Sequence, residues 1–166
     1  KITREEGQPN VLYIATATPF DEEMKDRIKK HQDQRPDHWR TVERYRDIGQ
    51  VITDAEEKII LLDCMTLMVS NLLFEGELDE EHPSREEVDS IETKINCEVD
   101  KMLASIRDDQ WVVLVTNELG MGLVPAYPLG RIFRDIAGRI NQKVARASTN
   151  VYLVVSGIPT QIKGGE

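Results

Sequence analysis

Four short, unbroken apolar runs constrain this chain more than any other feature: Val11-Leu-Tyr-Ile-Ala15, Lys58-Ile-Ile-Leu-Leu-Asp63, Trp111-Val-Val-Leu-Val-Thr116 and Val151-Tyr-Leu-Val-Val155. They are rich in branched side chains, show no alternation and are too short for buried helices, so they read as strands. A strand that is apolar on both sides is buried on both sides, and the segments between the runs are long enough to hold crossover helices. The fold class that follows is α/β, a mainly parallel sheet flanked by helices. With 166 residues, 40% of them hydrophobic, the chain suits one domain with a sizeable core, which argues against disorder.

Three helices carry start signals. Thr18-Pro-Phe-Asp21 is similar to a capping box with Pro at the first helical position, and leads into a helix from Glu22 to about Gln32. Ser84-Arg-Glu-Glu87 has the Ser-x-x-Glu spacing and opens a helix to about Ile106, with Val88, Ile91, Ile95, Val99 and Met102 on one face. A third follows Pro128 and runs to about Ala147, with Ile132, Ile136, Ile140 and Val144 spaced by fours. Met65 to Phe74 is apolar nearly all round and reads as a short buried helix. Lys1 to Gln8 carries Gly7 ahead of a strand and reads as the last turns of a helix whose beginning is absent.

The chain has 21 Lys+Arg and 30 Asp+Glu, a net charge of −9, which argues against nucleic acid as a partner. The excess is unevenly placed. Glu75 to Asp100 holds 11 acids against Arg85 and Lys94 and reads as a solvated helix face, whereas Lys25 to Arg46 holds 8 bases against 4 acids. Arg131, Arg134, Arg139, Lys143 and Arg146 form a second basic surface, which reads as solvated toward Arg146. Cys64 and Cys97 have no CxxC partner and read as small, mostly buried thiols of a reducing compartment. No apolar run reaches the roughly 18–20 residues that span a bilayer, and no signal-peptide pattern opens the sequence. The expectation is a cytoplasmic protein without a membrane span.

In open parallel sheets, ligands bind beyond the carboxyl ends of the strands. The residues there are Thr16-Ala-Thr18, Asp63, Asn117-Glu-Leu-Gly-Met-Gly122 and Ser156-Gly157. Asp63, closing an Ile-Ile-Leu-Leu strand, fits a Walker B carboxylate that meets a nucleotide-bound Mg²⁺, and equally fits the cap of the helix that follows. His31 shares a helical face with Met24 and Ile28, which points it inward. By spacing alone it reads as a core histidine. Lys29, Lys30, Arg35, Arg40, Arg44 and Arg46 crowd the same region, however, and a neutral imidazole among cations could attack the phosphorus of a nucleotide. His38 and His82 fall in loops and read as exposed. Gly120-Met-Gly122 is a weak phosphate-loop signal, and neither GxGxxG nor GxxxxGK[ST] occurs in the sequence.

These residues carry a resemblance. Val11-Leu-Tyr-Ile-Ala-Thr16, Asp21-Glu-Glu-Met24, Arg27-Ile28 with His31, Arg35-Pro36 with His38-Trp-Arg-Thr41 and Glu43, and Leu61-Leu-Asp-Cys64 resemble the bifunctional adenosylcobinamide kinase/adenosylcobinamide-phosphate guanylyltransferase family of cobalamin biosynthesis. Thr116-Asn-Glu-Leu-Gly-Met-Gly-Leu-Val-Pro125, Arg131-Ile-Phe-Arg-Asp-Ile-Ala-Gly138 with Asn141-Gln142, and Val154-Val-Ser-Gly-Ile158 extend it over essentially the whole chain. The resemblance implies a P-loop NTPase-like three-layer sandwich, with residues 1–166 as a single nucleotide-binding transferase domain, and a homo-oligomer. It implies two reactions. An NTP, ATP or GTP, phosphorylates the aminopropanol hydroxyl of adenosylcobinamide. GTP then transfers GMP to a histidine with loss of pyrophosphate, and adenosylcobinamide phosphate takes the GMP to give adenosylcobinamide-GDP.

By position in the motif, the resemblance makes His31 the carrier of GMP. Ala15, Thr16, Ala17, Gln32, Asp33, Gln34, Arg35, Glu43 and Asp63 match the family's nucleotide contacts, and Asp63 is the carboxylate on the Mg²⁺ side, where the family often has Glu. Asn117, Glu118 and Arg134 are candidates, on position alone, for contacts to the corrinoid. Family members open with a strand and a GGxRSGKS-type loop that holds the NTP phosphates, ahead of the point where this sequence begins. The expectation is that an N-terminal segment precedes Lys1, and that a protein truly starting there would lose the kinase activity and have a severely impaired guanylyltransferase. The alternative, from a different class, is a truncated or inactive family member that serves as a binding or assembly subunit.

Overall fold

Three of the four apolar runs pair into one parallel sheet. A computed structural model of the protein describes residues 9–19, 21–76, 78–79 and 81–165; the helix end read at Lys1 to Gln8, and Phe20 of the Thr18 to Asp21 signal, lie outside the described residues. Strands β1 (Val11–Ala15), β3 (Ile59–Asp63) and β4 (Trp111–Val115) are joined by β2 (Arg40–Glu43), in the order β2-β1-β3-β4. β2 reads Arg-Thr-Val-Glu, a largely exposed edge strand, so it has no apolar run to announce it. The register sets Ala15 opposite Glu43 on one side and Asp63 on the other, with Asp63 opposite Val115. Glu43, Ala15, Asp63 and Val115 thus form one row along the carboxyl edge.

Side chains alternate between the faces of a strand. Leu12, Ile14, Ile60 and Leu62 share the face that holds the core. Five helices lie among the described residues: α1 (Glu22–Asp33), α2 (Ile48–Thr53), α3 (Met65–Phe74), α4 (Arg85–Ala104) and α5 (Pro128–Ala147). Ile48 and Ile52 of α2, Met65 and Met68 of α3, Ile95 and Met102 of α4, and Ile136 and Ile140 of α5 close over that face as a single apolar cluster. The opposite face carries Val11, Tyr13, Ala15 and Ile59, all buried; toward β4 it is open, with Trp111, Val113 and Val115 exposed.

The helix starts follow side-chain chemistry. Ser84 Oγ accepts from the Glu87 N–H while Glu87 Oε2 accepts from the Ser84 N–H, the reciprocal box that its spacing predicts. Pro128 occupies the first turn of α5, where its missing N–H is harmless. At α1 the cap differs from expectation. Asp21, directly before the helix, accepts from the Met24 N–H at 2.7 Å, whereas Thr18 turns its hydroxyl to Asn71 Oδ1 of α3 at 3.0 Å.

The fourth apolar run does not join the parallel sheet. β5 (Val151–Val155) pairs antiparallel with β6 (Ile158–Lys163) as a separate hairpin. Ser156 and Gly157 are its two-residue turn, with φ of 52° and 80°, the pattern of a type I′ turn that suits the strand twist. Residues read as a fourth ligand position are therefore a hairpin tip. The hairpin is clipped to the end of α5 by Lys163, whose ammonium donates to the carbonyls of Ala145, Arg146 and Ser148; a cation at a helix carboxyl end also meets the negative end of its dipole.

Two further expectations are corrected. The acidic face of α4 is not simply solvated, because Glu92 receives two bonds from Arg139 at 2.5 and 2.9 Å and Asp100 receives two from Lys143 at 2.8 and 2.9 Å. Helix α5 supplies the counter-charges across the helix pair. Cys97 is exposed, lying between Ile95 and Val99 on the opposite side of α4, while Cys64 is buried; both thiols are free. Among the described residues, no helix is long and apolar enough to cross a membrane.

Replacing Ser84 by Ala should lower stability by about 1 kcal/mol through loss of the cap. Ile95→Ala, at a fully buried position, should cost about 2–5 kcal/mol. Urea unfolding followed by circular dichroism measures both.

Candidate functional site

The carboxyl edge of the sheet is organised by Thr16, a fully buried residue just past β1. Its hydroxyl donates to the Cys64 carbonyl at 2.7 Å and accepts from the Cys64 N–H at 2.8 Å. Its own N–H donates to the Asp63 carbonyl, and its carbonyl accepts from Asn71 Nδ2. Every polar atom of Thr16 is thereby committed within the protein. Ala15, buried at the strand end, accepts from the Arg44 N–H at 2.8 Å, which fixes the exit of β2.

Two adjoining cavities lie at this edge. The larger, about 540 Å³, is walled by Gln32, Arg35, Pro36, Asp37, Trp39, Thr41 and Glu43. The second, about 300 Å³, is walled by Ala17, Thr18, Pro19, Glu43, Arg44, Tyr45, Arg46 and Glu75. Glu43 belongs to both, and Gln32 Nε2 donates to its Oε1 at 2.5 Å. The structure therefore brings together Ala17, Gln32, Arg35 and Glu43.

Asp63 is tied to this group by a residue that the apolar pattern concealed. Tyr13, in the middle of β1, donates its hydroxyl to Asp63 Oδ2. The Tyr13 ring lies beneath the Arg35 guanidinium, Cζ to centroid 3.8 Å, and stacks on Trp39 with centroids 6.4 Å apart. Burial, then the bond to Asp63, push the Tyr13 phenol up to about 12, against the opposing pull of Arg35. The only available signal was a lone phenol in a run of aliphatic residues, on the strand face shared with Ala15.

Asp63 is not a helix cap: Cys64 occupies that position of α3, without a side-chain bond to the helix. Its carboxylate keeps Oδ1 free of the Tyr13 bond. Burial pushes the neighbouring Cys64 thiol up, which makes it a poor nucleophile.

His31 departs from expectation. It lies in the last turn of α1, and it is exposed, as are Gln32, Asp33 and Gln34. The helix buries no residue completely; Met24 and Ile28 are only half-buried, so the shared face does not carry the imidazole into a core. His31, Asp33 and Gln34 stand beside the larger cavity rather than in its wall. Of the surrounding cations, Arg40 is held by Glu57 and Arg46 by Glu75. Lys29, Lys30 and Arg44 form no ion pair among the described residues.

Beyond β4, the residues with motif character hold one another. Thr116 donates to Asn141 Oδ1, Asn141 donates to the Asn117 carbonyl, and the Asn117 N–H donates to Thr66. Glu118 accepts from the Gly120 N–H and Arg134 donates to the Gly120 carbonyl, so the glycine loop is gripped from both sides. Met121, Leu123 and Val124 at its tip are exposed.

A parallel sheet with helices over it, a carboxylate closing a strand and a polar crevice beyond define an α/β protein of the P-loop NTPase-like class. The chain belongs to the cobinamide kinase / cobinamide phosphate guanyltransferase family, whose model matches residues 1–162. It is 48% identical over 156 residues to the bifunctional adenosylcobalamin biosynthesis protein CobU of Escherichia coli, covering 92% of this chain and 86% of that protein. The protein of the same name from Salmonella typhimurium is 49% identical over 160 residues, covering 93% and 87%. The bifunctional adenosylcobalamin biosynthesis protein CobP of Pseudomonas aeruginosa is 34% identical over 157 residues, covering 93% and 83%.

The raised Tyr13 phenol has a measurable consequence in metal-free buffer. Between pH 10 and about 12 the unfolded chain has released this proton and the folded one has not, so stability falls as pH rises through that window. Spectrophotometric titration should show a phenol ionising near 12 that is absent in Tyr13→Phe, and that variant should lose less stability across the same window.

Proposed function

We propose that the chain is a bifunctional enzyme of cobalamin nucleotide-loop assembly that phosphorylates adenosylcobinamide and then guanylylates adenosylcobinamide phosphate through a GMP-histidine intermediate. The observation that carries this reading is the family match along residues 1–162, together with relatives 48–49% identical over more than nine-tenths of the chain. An NTP, ATP or GTP, is the donor for the kinase step, and GTP for the guanylyl transfer.

In the second reaction a ring nitrogen of His31 attacks the α-phosphorus of GTP. The N–P bond forms as the bond from that phosphorus to the bridging oxygen breaks, and pyrophosphate departs. An oxygen of the corrinoid phosphate then displaces the imidazole, giving adenosylcobinamide-GDP and regenerating His31. An exposed His31 suits this role, because the second acceptor is bulky and reaches the phosphoramidate from solvent. Lys29 and Lys30 offset charge on the phosphates. Gln32, Asp33, Gln34, Arg35 and Glu43 receive the nucleotide beside the larger cavity, with Ala15 and Ala17 lining the strand end. Thr16 contributes by fixing the backbone, since its side chain is spent on Cys64.

Asp63 fits a Mg²⁺ that takes most of its ligands from phosphates and water. Among the described residues there is no group of three His, Cys, Asp or Glu to hold a metal alone, and a single carboxylate with one free oxygen matches that mode. Bound there, Mg²⁺ would neutralise developing charge on the phosphates. The chain is read as a single domain that works in the cytoplasm as a homo-oligomer; the exposed Met121, Leu123, Val124 and Tyr127 give it apolar surface to cover.

Incubation of the full chain with GTP and Mg²⁺ should add one GMP to the intact mass. The adduct should be acid-labile, as a phosphoramidate is, and absent in His31→Ala. Wild-type protein that binds GTP and forms no adduct would overturn the guanylyl-transfer reading.

A further inference from the structure

Arg35 is an anomaly within this site. Its Nε and Nη1 are buried and have no hydrogen-bond partner among the described residues, an unfavourable state for a cation. It follows α1 on an irregular segment whose nearby backbone bond, Arg35 N–H to the Gln32 carbonyl, does not fix the guanidinium. What holds the head group is the ring of Tyr13, 3.8 Å beneath it. That ring is a rigid platform, because it stands on the central strand pair, is braced by Trp39, and is fixed at its far end by the bond to Asp63.

We propose that Tyr13 is a positioning residue of the nucleotide site: its ring seats the Arg35 guanidinium, which pairs with no acid among the described residues, in the wall of the larger cavity where phosphate would bind, and its hydroxyl orients the Asp63 carboxylate. The inference rests on the reading that Arg35 and Asp63 face the nucleotide. One side chain thereby sets the spacing between the cation that grips the phosphates and the carboxylate on their metal side. Stacking requires a planar cation, so lysine at position 35 keeps the charge and loses the seat. The two functions of Tyr13 are separable, since phenylalanine keeps the ring and loses only the hydroxyl.

The test uses the full chain and four variants: Tyr13→Phe, Tyr13→Leu, Arg35→Lys and Arg35→Ala, with Tyr13→Leu also placed in the Arg35→Ala background. GTP affinity is measured by calorimetry in EDTA, and GMP-adduct formation is measured against Mg²⁺ concentration. Tyr13→Leu and Arg35→Lys should each weaken metal-free GTP binding about tenfold, the loss of roughly one charge-assisted hydrogen bond, and Tyr13→Leu should have no further effect once Arg35 is Ala. Tyr13→Phe should keep metal-free affinity within about twofold of wild type while several-fold more Mg²⁺ is needed for half-maximal adduct formation. A merely structural tyrosine would not separate the two readouts. Tyr13→Phe with an unchanged Mg²⁺ requirement, Arg35→Lys with wild-type affinity, or additive losses in the double variant would each overturn the proposal. If Tyr13→Leu does not fold, the Tyr13→Phe and Arg35→Lys arms still decide it. Wild-type protein that forms the adduct beside Tyr13 variants that match it sinks this inference alone, whereas wild-type protein that binds no GTP sinks the functional reading as well.

Discussion

The candidate site depends on one buried hydroxyl. Thr16 Oγ1 donates to the carbonyl and accepts from the N–H of the same residue, Cys64, which locks the end of β1 to the junction of β3 and α3. Asn71, from the second turn of α3, closes the arrangement by donating to the Thr16 carbonyl and accepting from Thr18. The direction in which the chain leaves β1, and hence the position of Ala17 and the approach to α1, follow from that knot. So does the position of Asp63, one residue before Cys64. An alanine at position 16 would leave the Cys64 N–H and carbonyl buried without these partners, a larger disturbance than the loss of a contact to any ligand.

A second physical theme is the division of charge. The acidic helix α4 and the basic helix α5 face each other through Glu92–Arg139 and Asp100–Lys143, so two segments that look extreme in isolation partly discharge one another. The basic segment near His31 is also partly spent, on Glu57 and Glu75. What remains around the cavities is a small set of cations, of which Arg35 is held by an aromatic ring rather than by an acid.

Much of the fold was legible because its signals are local. The continuous apolar runs gave β1, β3 and β4, and the Ser84 box and Pro128 gave the starts of α4 and α5. The fate of Val151–Val155 was not legible from its own composition; the Ser156-Gly157 turn decides it, and the partner strand, Ile-Pro-Thr-Gln-Ile-Lys, is polar enough to pass for a tail. β2 and α2 escaped notice because a four-residue strand with a single apolar side chain, Val42, and a six-residue helix carry no periodicity to read. The sequence motifs pointed to Gln32, Arg35, Glu43 and Asp63, and the Tyr13 link between two of them needed three dimensions, since it spans 50 residues to Asp63. The inward orientation read for His31 failed because a shared helical face means burial only where the helix is packed deeply, and α1 is not.

The segregation of charge has a kinetic side. A polyanion approaching from bulk solvent first meets the field of the whole chain, whose −9 repels it. Only within roughly a Debye length, about 8–10 Å at physiological ionic strength, do Lys29, Lys30 and their neighbours dominate. For a polyanionic ligand, modest salt would screen the distant repulsion before it weakened the near attraction, so its capture rate would pass through a maximum with ionic strength. A uniformly basic protein would show only a decline. The unequal placement of acids and bases would thus act as a filter on the encounter of such a ligand, set by geometry and tuned by the medium.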